Sequence, residues 1–192
     1  MAYAPPAPPE RTQQRGITRD EFEALIARGA FDDDARVELI DGVINMKPRP
    51  SPEHSAVVRA LNRLFRACDA DVDVQSPLEV GGQSFPLPDL AVVRSPGMHA
   101  HPEGALLVVE VVVSRWREAQ LKVPVYAAGG VGTYWIVDVN ERRVLVHADA
   151  DAERREYRRV REFRGGDVLR VPESDVAFSV DELFAVAERR SA

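Results

Sequence analysis

The pattern of apolar and polar positions along the chain predicts a mixed α/β fold. Apolar residues recur at helical spacing from about residue 52 to 69 and from 116 to 128. Capping boxes formed by Thr18 with Glu21 and by Ser179 with Glu182 predict one helix near each end of the chain. Short apolar runs predict strands near 37–46, 72–80, 84–93, 106–113, 133–138, 142–148 and 155–163.

The order of these elements constrains the topology. The strand–helix–strand segment 106–138 predicts two parallel strands joined by a right-handed crossover. Asp41-Gly42, between two apolar runs, predicts an N-terminal β-hairpin with a type I′ turn. We therefore expect a central mixed β-sheet with flanking helices, in a single domain over residues 17–188. Residues 1–16 include a Pro/Ala-rich stretch and are predicted to be a disordered tail.

One carboxylate interrupts the most apolar of the predicted strands. In LLVVEVVV (106–113), Glu110 is surrounded by valines and leucines, which is typical of a strand that is buried on both faces. An ionised carboxylate in such a strand is costly unless a cation or hydrogen-bond donors compensate it. Glu110 could be paired with an arginine for purely structural reasons, or it could belong to a functional site.

Strand pairing supplies Glu110 with a partner. If Val93 lies opposite Leu106 in an antiparallel pair, residue 89 lies opposite residue 110, and residue 89 is an aspartate. Cross-strand partners have Cβ atoms roughly 5 Å apart, and two carboxylates that close need a cation between them. Hard oxygen ligands favour Mg²⁺ or Mn²⁺.

Lysine is rare in this chain, so each lysine is a candidate for a specific role. Of 25 basic residues only Lys47 and Lys122 are lysine, whose compact amine, unlike a guanidinium, readily changes its pKa on burial. The helix that follows the Glu110 strand runs back along it, and this geometry permits Lys122 to reach the carboxylate pair. Pro124 is tolerated if it lies in a first helical turn. An ordinary exposed helix lysine remains the alternative.

Pro88-Asp89, then Glu110, then a lysine on the following helix resembles the signature of PD-(D/E)XK nucleases. The chain is more closely similar to the Uma2 (DUF820) family of bacterial endonucleases over about residues 17–185. The matching segments, in family order, are VELIDGVI (37–44), SPEH (51–54), LPDLAVV (87–93), VVEVVVS (108–114), KVPVY (122–126) and GVGTYWIVD (130–138).

The resemblance implies a restriction-endonuclease-like core and a role for each matching residue. Asp89 and Glu110 would bind Mg²⁺ or Mn²⁺, Lys122 would be the catalytic lysine, and Glu38 would be an additional acid at the site. Val112 occupies the position of the usual lysine, so Lys122 would be a migrated equivalent. The segment SRWREAQLK is also shorter than the usual linker.

These residues support a leading hypothesis and two alternatives. The leading hypothesis is a Mg²⁺-dependent endonuclease that hydrolyses DNA phosphodiester bonds. The main alternative is a catalytically inactive nuclease-fold binding or scaffold protein, and the third is a hydrolase of smaller phosphorylated substrates. His54, in the first turn of its helix, is a further candidate to line the site. Glu38 could instead point outward from its hairpin strand.

Composition limits the range of partners. A net charge of −6 and a pI near 5.3 exclude a protein that coats nucleic acid non-specifically. No apolar run is long enough to span a membrane, and we expect a cytoplasmic protein. The arginines of ERREYRRVREFR (153–164) are diluted by three acids, which favours a solvated hairpin strand. Apolar hairpin edges provide the argument for a homodimer.

Overall fold

The computed structural model describes residues 15–94 and 97–189, so most of the predicted N-terminal tail lies outside the described residues. The helices are α1 (Arg19–Ala27), α2 (Pro52–Leu64), α3 (Trp116–Leu121), α4 (Val123–Ala128) and α5 (Val180–Glu188). The strands are β1 (Val37–Ile40), β2 (Val43–Met46), β3 (Asp71–Val74), β4 (Leu90–Val93), β5 (Leu107–Val112), β6 (Thr133–Asp138), β7 (Arg143–Asp151), β8 (Glu156–Arg164), β9 (Val168–Arg170) and β10 (Ala177–Ser179).

A six-stranded mixed sheet in the order β3-β4-β5-β6-β7-β8 forms the centre of the fold. Strands β5 and β6 are parallel, and the other neighbouring pairs are antiparallel. In the β4–β5 pair, Leu90 lies opposite Val109 and Val92 opposite Leu107, which is the register predicted from the sequence. The predicted mixed sheet with flanking helices is therefore confirmed, and the register places residue 89 next to residue 110.

The two strands that precede β5 are shorter than predicted. Only 71–74 and 90–93 pair in the sheet, and most of residues 75–89 form a loop. Pro77, Pro86 and Pro88 have no N–H to donate to a strand ladder, and Gly81 and Gly82 adopt φ values of +76° and +59°. Apolar side chains of this loop are buried nevertheless, which explains why the segment resembles a strand in sequence.

Helices cover both faces of the sheet. On one face, α2 and α5 pack over a cluster that includes Phe65, Trp135 and Phe178, with Phe65 and Trp135 edge to face at 6.0 Å. On the other face, α3 and α4 cover a second cluster that includes Tyr126 and Tyr134. Strand β5 contributes to both clusters because all six of its residues are buried.

The N-terminal hairpin forms a separate two-stranded sheet of β1 and β2. Its turn residues Asp41 and Gly42 have φ values of +47° and +78°, as a type I′ turn requires. Leu39 and Phe85 exchange backbone hydrogen bonds of 3.1 and 2.7 Å, so the hairpin docks on the 75–89 loop. Phe22 of α1 packs on the same pair.

The helix predicted over 116–128 is interrupted at Lys122. This residue ends α3 and precedes α4, and Pro124 lies in the first turn of α4. Because proline has no N–H, the helical hydrogen bond to the carbonyl of residue 120 is missing at this point. The prediction of one continuous helix is wrong, but the expected place of Pro124 in a first helical turn is confirmed.

The C-terminal half contains elements that are not prominent in the sequence pattern. The hairpin of β7 and β8 was predicted, whereas the three-residue strands β9 and β10 are too short to give a periodic signal. The capping interaction predicted at Ser179 is present, with the Glu182 amide 3.1 Å from its hydroxyl. Among the helices that the structure describes, none combines the length and apolar character needed to cross a bilayer.

Candidate active site

Four buried charged residues meet where the N-terminal hairpin, the 75–89 loop, β5 and the α3–α4 junction come together. They are Glu38, Asp89, Glu110 and Lys122, each no more than 5% exposed. Glu38 therefore does not point outward from its strand, and Lys122 is not an exposed helix residue. The structure brings together all four residues that the sequence singled out as candidates.

Glu110 is compensated by three donors. Its Oε1 accepts hydrogen bonds from Lys122 Nζ at 2.8 Å and from the Tyr126 hydroxyl at 2.9 Å. Its Oε2 accepts one from Lys47 Nζ at 3.3 Å. Burial and the charge of Glu110 together raise the pKa of Tyr126 well above its usual value, so this hydroxyl keeps its proton and donates. These contacts explain how a valine strand accommodates a carboxylate.

Asp89 lies at the start of β4 with one oxygen fully engaged and one free. Its Oδ2 lies 2.9 Å from both the Val111 amide and His54 Nε2. Its buried Oδ1 has no hydrogen-bond partner among the described residues, with Lys47 Nζ and Arg36 Nη2 each 3.9 Å away. Burial opposes ionisation, but the His54 hydrogen bond, the Lys47 charge and the Val111 amide outweigh it and lower the pKa of Asp89 to about 2.

Lys122 links Glu110 to Glu38. Its Nζ donates to Oε1 of Glu110 and to Oε2 of Glu38, both at 2.8 Å. Burial favours the neutral amine, but the charges of Glu110 and Glu38 outweigh burial and raise the pKa of Lys122 above its usual value. Oε2 of Glu38 also accepts the Leu87 amide at 3.1 Å. Lys122 thus reaches Glu110 as the sequence predicted, but its second carboxylate partner is Glu38 and not Asp89.

Lys47, Tyr126 and Arg36 belong to this site, although no role was assigned to them from the sequence. Lys47 has the most contacts with the site. It directly follows β2, and its Nζ donates to the Leu87 carbonyl at 2.7 Å as well as to Glu110. The rarity of lysine was the available signal, because both lysines of the chain lie at this site. Tyr126, four residues after Lys122, had a weaker signal in its helical spacing. Arg36 is one of many arginines and had none.

A cavity of about 300 Å³ opens onto these groups. Its wall includes Asp89, Glu110, Lys47 and Lys122, together with His54, so this histidine does line the cavity. Arg49 and Arg115 also line it and are exposed. The two exposed arginines are each paired with an acid at 2.6 Å, Arg49 with Asp34 and Arg115 with Glu118. The buried end of the cavity holds carboxylates that the cationic side chains of Lys47, Lys122 and Arg36 face.

Residues 19–181 match the model of a protein family named Uma2, described as "Putative restriction endonuclease". The chain belongs to the Uma2 family. A solved structure with the same fold, at a TM-score of 0.71, is that of "a putative nuclease belonging to DUF820" from Anabaena variabilis, which is 21% identical. The match covers 89% of this chain and 99% of that one. No curated protein matches the sequence.

Membership of Uma2 confirms the family predicted from the sequence motifs. The matched residues contain the whole charged cluster, from Arg36 to Tyr126. The family description indicates a nuclease of the restriction-endonuclease-like kind, an enzyme of the hydrolase class, and the solved structure supports the fold.

The oxygen atoms of this Uma2 site fit a hard divalent cation, although few protein ligands are available. The described residues contain no group of three or more His, Cys, Asp or Glu side chains arranged to hold a metal. Mg²⁺ commonly uses one or two carboxylates and keeps several waters, so Asp89 and Glu110 suffice as a donor set. The unpartnered Oδ1 of Asp89 is a buried acceptor of the type that such an ion would satisfy.

The arginine-rich segment 153–164 lies away from this site, along the edge strand β8. Many of its arginines pair with acids on the same hairpin, as Arg158 does with Asp151 at 3.0 Å. The segment is therefore the solvated hairpin strand that the sequence predicted.

Proposed function

We propose that this Uma2 protein hydrolyses DNA phosphodiester bonds with Mg²⁺ or Mn²⁺ held by Asp89 and Glu110. The observation that carries the proposal is the position of Lys122 Nζ, 2.8 Å from Glu110 and buried at the same cavity as the free Oδ1 of Asp89. An acid pair with an adjacent fixed ammonium is suited to a reaction in which negative charge develops on phosphoryl oxygens.

Each residue has a separate chemical task in this proposal. When bound, the metal would polarise a phosphoryl oxygen and lower the pKa of an attacking water. Lys122, kept protonated by Glu110 and Glu38, would supply positive charge to the transition state. Glu38 fixes the position of Lys122, and His54 and the Val111 amide hold Oδ2 of Asp89, which leaves Oδ1 for the metal.

DNA is the proposed substrate although the protein is acidic overall. The net charge of −6 opposes non-specific binding to a polyanion, so contacts must be local. Arg49 and Arg115 line the cavity and would contact DNA phosphates in exchange for their acid partners Asp34 and Glu118.

The test is nicking of supercoiled plasmid DNA by purified protein with Mg²⁺ or Mn²⁺, together with calorimetric measurement of Mn²⁺ binding. Asp89→Ala and Glu110→Ala should each lower the nicking rate at least about a hundredfold and weaken Mn²⁺ binding. Glu156→Ala removes an exposed acid from β8 and is the matched control, expected to behave as wild type. Equal metal binding and equal residual nicking in all four proteins would contradict the proposal.

The alternative of a catalytically inactive binding or scaffold protein has one observation in its favour. The three buried carboxylates are already faced by Lys47, Lys122 and Arg36, so the cluster is close to neutral without a metal. DNA binding that persists unchanged in EDTA, with no nicking under any metal condition, would favour this alternative.

A further inference from the structure

Lys47 occupies a particular position relative to the two proposed metal ligands. Its ammonium lies 3.3 Å from Oε2 of Glu110 and 3.9 Å from Oδ1 of Asp89. It therefore faces both carboxylates at once.

The other oxygens of the pair are already occupied. Oε1 of Glu110 accepts from Lys122 and Tyr126, and Oδ2 of Asp89 is engaged by Val111 and His54. Oε2 of Glu110 and Oδ1 of Asp89, the two oxygens that Lys47 faces, are therefore the less engaged oxygens that the pair would offer to a divalent ion. An ion held by these oxygens would repel the ammonium of Lys47 in its present position, which lies 3.3 and 3.9 Å from the same two atoms.

We propose that Lys47 is a resident counter-ion of the Asp89–Glu110 pair and competes with the divalent metal for it. The inference rests on the proposed function, since it assumes that these two carboxylates are the metal ligands. In the metal-free protein Lys47 compensates the acid pair, and metal binding requires its ammonium to withdraw from Oε2 and Oδ1. Lys47 therefore weakens metal binding while it stabilises the empty site.

The two lysines differ in how firmly they are held, so only Lys47 is suited to withdraw. Lys122 is fixed by short hydrogen bonds to two carboxylates and lies at a helix junction. Lys47 makes its shortest hydrogen bond to a neutral carbonyl, that of Leu87, and its side chain is 15% exposed at the end of a hairpin. A flexible stem lets its ammonium leave the carboxylates for the cavity without backbone movement.

The presence of only two lysines allows a direct measurement on the wild-type protein. Protein labelled with ¹³C and ¹⁵N at lysine gives two sets of side-chain resonances, which Lys47→Gln assigns. Titration with Mg²⁺ should shift the Lys47 Cε and Nζ resonances by at least twice as much as those of Lys122. A Lys47 resonance that does not move while Mg²⁺ saturates a site abolished by Asp89→Ala would overturn the inference.

Calorimetric titration with Mn²⁺ provides a second test of the inference. Lys47→Gln removes the charge but keeps a donor, and its Kd for Mn²⁺ should be about tenfold lower than that of wild type. Lys47→Arg keeps the charge and should bind Mn²⁺ no more tightly than wild type. An unchanged or higher Kd in Lys47→Gln would overturn the inference.

The two proposals fail in different ways. If Asp89→Ala abolishes Mn²⁺ binding and Lys47→Gln does not improve it, the metal site stands and the competition is wrong. If wild type and Asp89→Ala bind Mn²⁺ with the same measurable Kd, or if no protein in the series binds it, the proposed metal site is wrong and the inference falls with it. Binding by Lys47→Gln alone would support the competition most strongly.

Discussion

Charged side chains are concentrated in two regions of this protein, the cavity at the end of β5 and the β7–β8 hairpin. At the cavity, Glu38, Glu110 and Lys122 have side chains no more than 7% exposed, and their partners come from distant parts of the chain. On the hairpin, the side chains of Arg158 and Glu162 are 60% and 41% exposed and pair with neighbours on the same hairpin. In the sequence, the charged residues of the hairpin are the more conspicuous of the two groups, because they follow one another closely.

The comparison shows that burial, and not the number of charges, distinguishes the functional candidate. An exposed ion pair contributes little to stability because water already solvates both partners. A buried ion depends on each of its partners, since none of them can be replaced by water. The same kind of substitution should therefore have very different effects in the two regions.

Replacing Lys122 by methionine should produce the largest effect. In the metal-free protein it leaves Glu38 buried without a counter-ion and Glu110 with only Lys47, and we expect the free energy of unfolding to fall by about 3–5 kcal/mol. Urea denaturation at pH 7 measures this change. Arg158→Met on β8 is the matched control, with an expected change below about 0.5 kcal/mol. Similar losses in the two variants would remove the distinction between the regions.

Acid should weaken the cavity through Asp89. Folding lowers the pKa of this carboxyl from 3.8 to about 2, so its stabilisation is complete above pH 3.8 and is lost as the pH falls towards 2. The full contribution is about 2 kcal/mol. The stability difference between wild type and Asp89→Asn should therefore narrow as the pH falls from about 4 towards 2 in urea denaturation experiments. If the stability difference stays constant down to pH 2.5, folding does not lower the pKa of Asp89.

Two buried tyrosines allow a finer comparison. The Tyr126 hydroxyl donates to the charged Glu110 at 2.9 Å, and the Tyr157 hydroxyl of β8 donates to the neutral Val131 carbonyl at the same distance. Hydrogen bonds to charged groups contribute more to stability than hydrogen bonds to neutral groups. Tyr126→Phe should therefore lower the free energy of unfolding by about 1 kcal/mol more than Tyr157→Phe. Thermal or urea unfolding of the two variants measures the difference, and the reverse order would be unexpected.

The central part of the site could be predicted because it depends on regular structure. Side chains in strands alternate with a period of two, so aligning Val93 with Leu106 was enough to bring Asp89 to Glu110. The return of the crossover helix limited where Lys122 could lie. These inferences used only the geometry of strands and helices and the single crossover between β5 and β6. Sequence patterns indicate both of these well.

The rest of the site depends on how irregular segments dock. Glu38 is buried because the hairpin pairs with Phe85 of the 75–89 loop, and that loop was itself predicted to be strand. The position of Lys47 follows from the same docking, which no local pattern encodes. The break between α3 and α4 at Lys122 was not predicted. The apolar residues keep their helical spacing across the break, and this pattern was given more weight than Pro124.

The hairpin carries both Glu38 and Lys47, and it is joined to the rest of the protein mainly through one short stretch of loop backbone. Segments attached in this way often open as cooperative units well before the whole domain unfolds. Each such opening would expose the acidic centre to solvent and remove one carboxylate and one ammonium together. The net charge of what remains is unchanged, but two buried ion pairs are broken, Glu38 with Lys122 and Lys47 with Glu110, and these pairs oppose detachment of the hairpin.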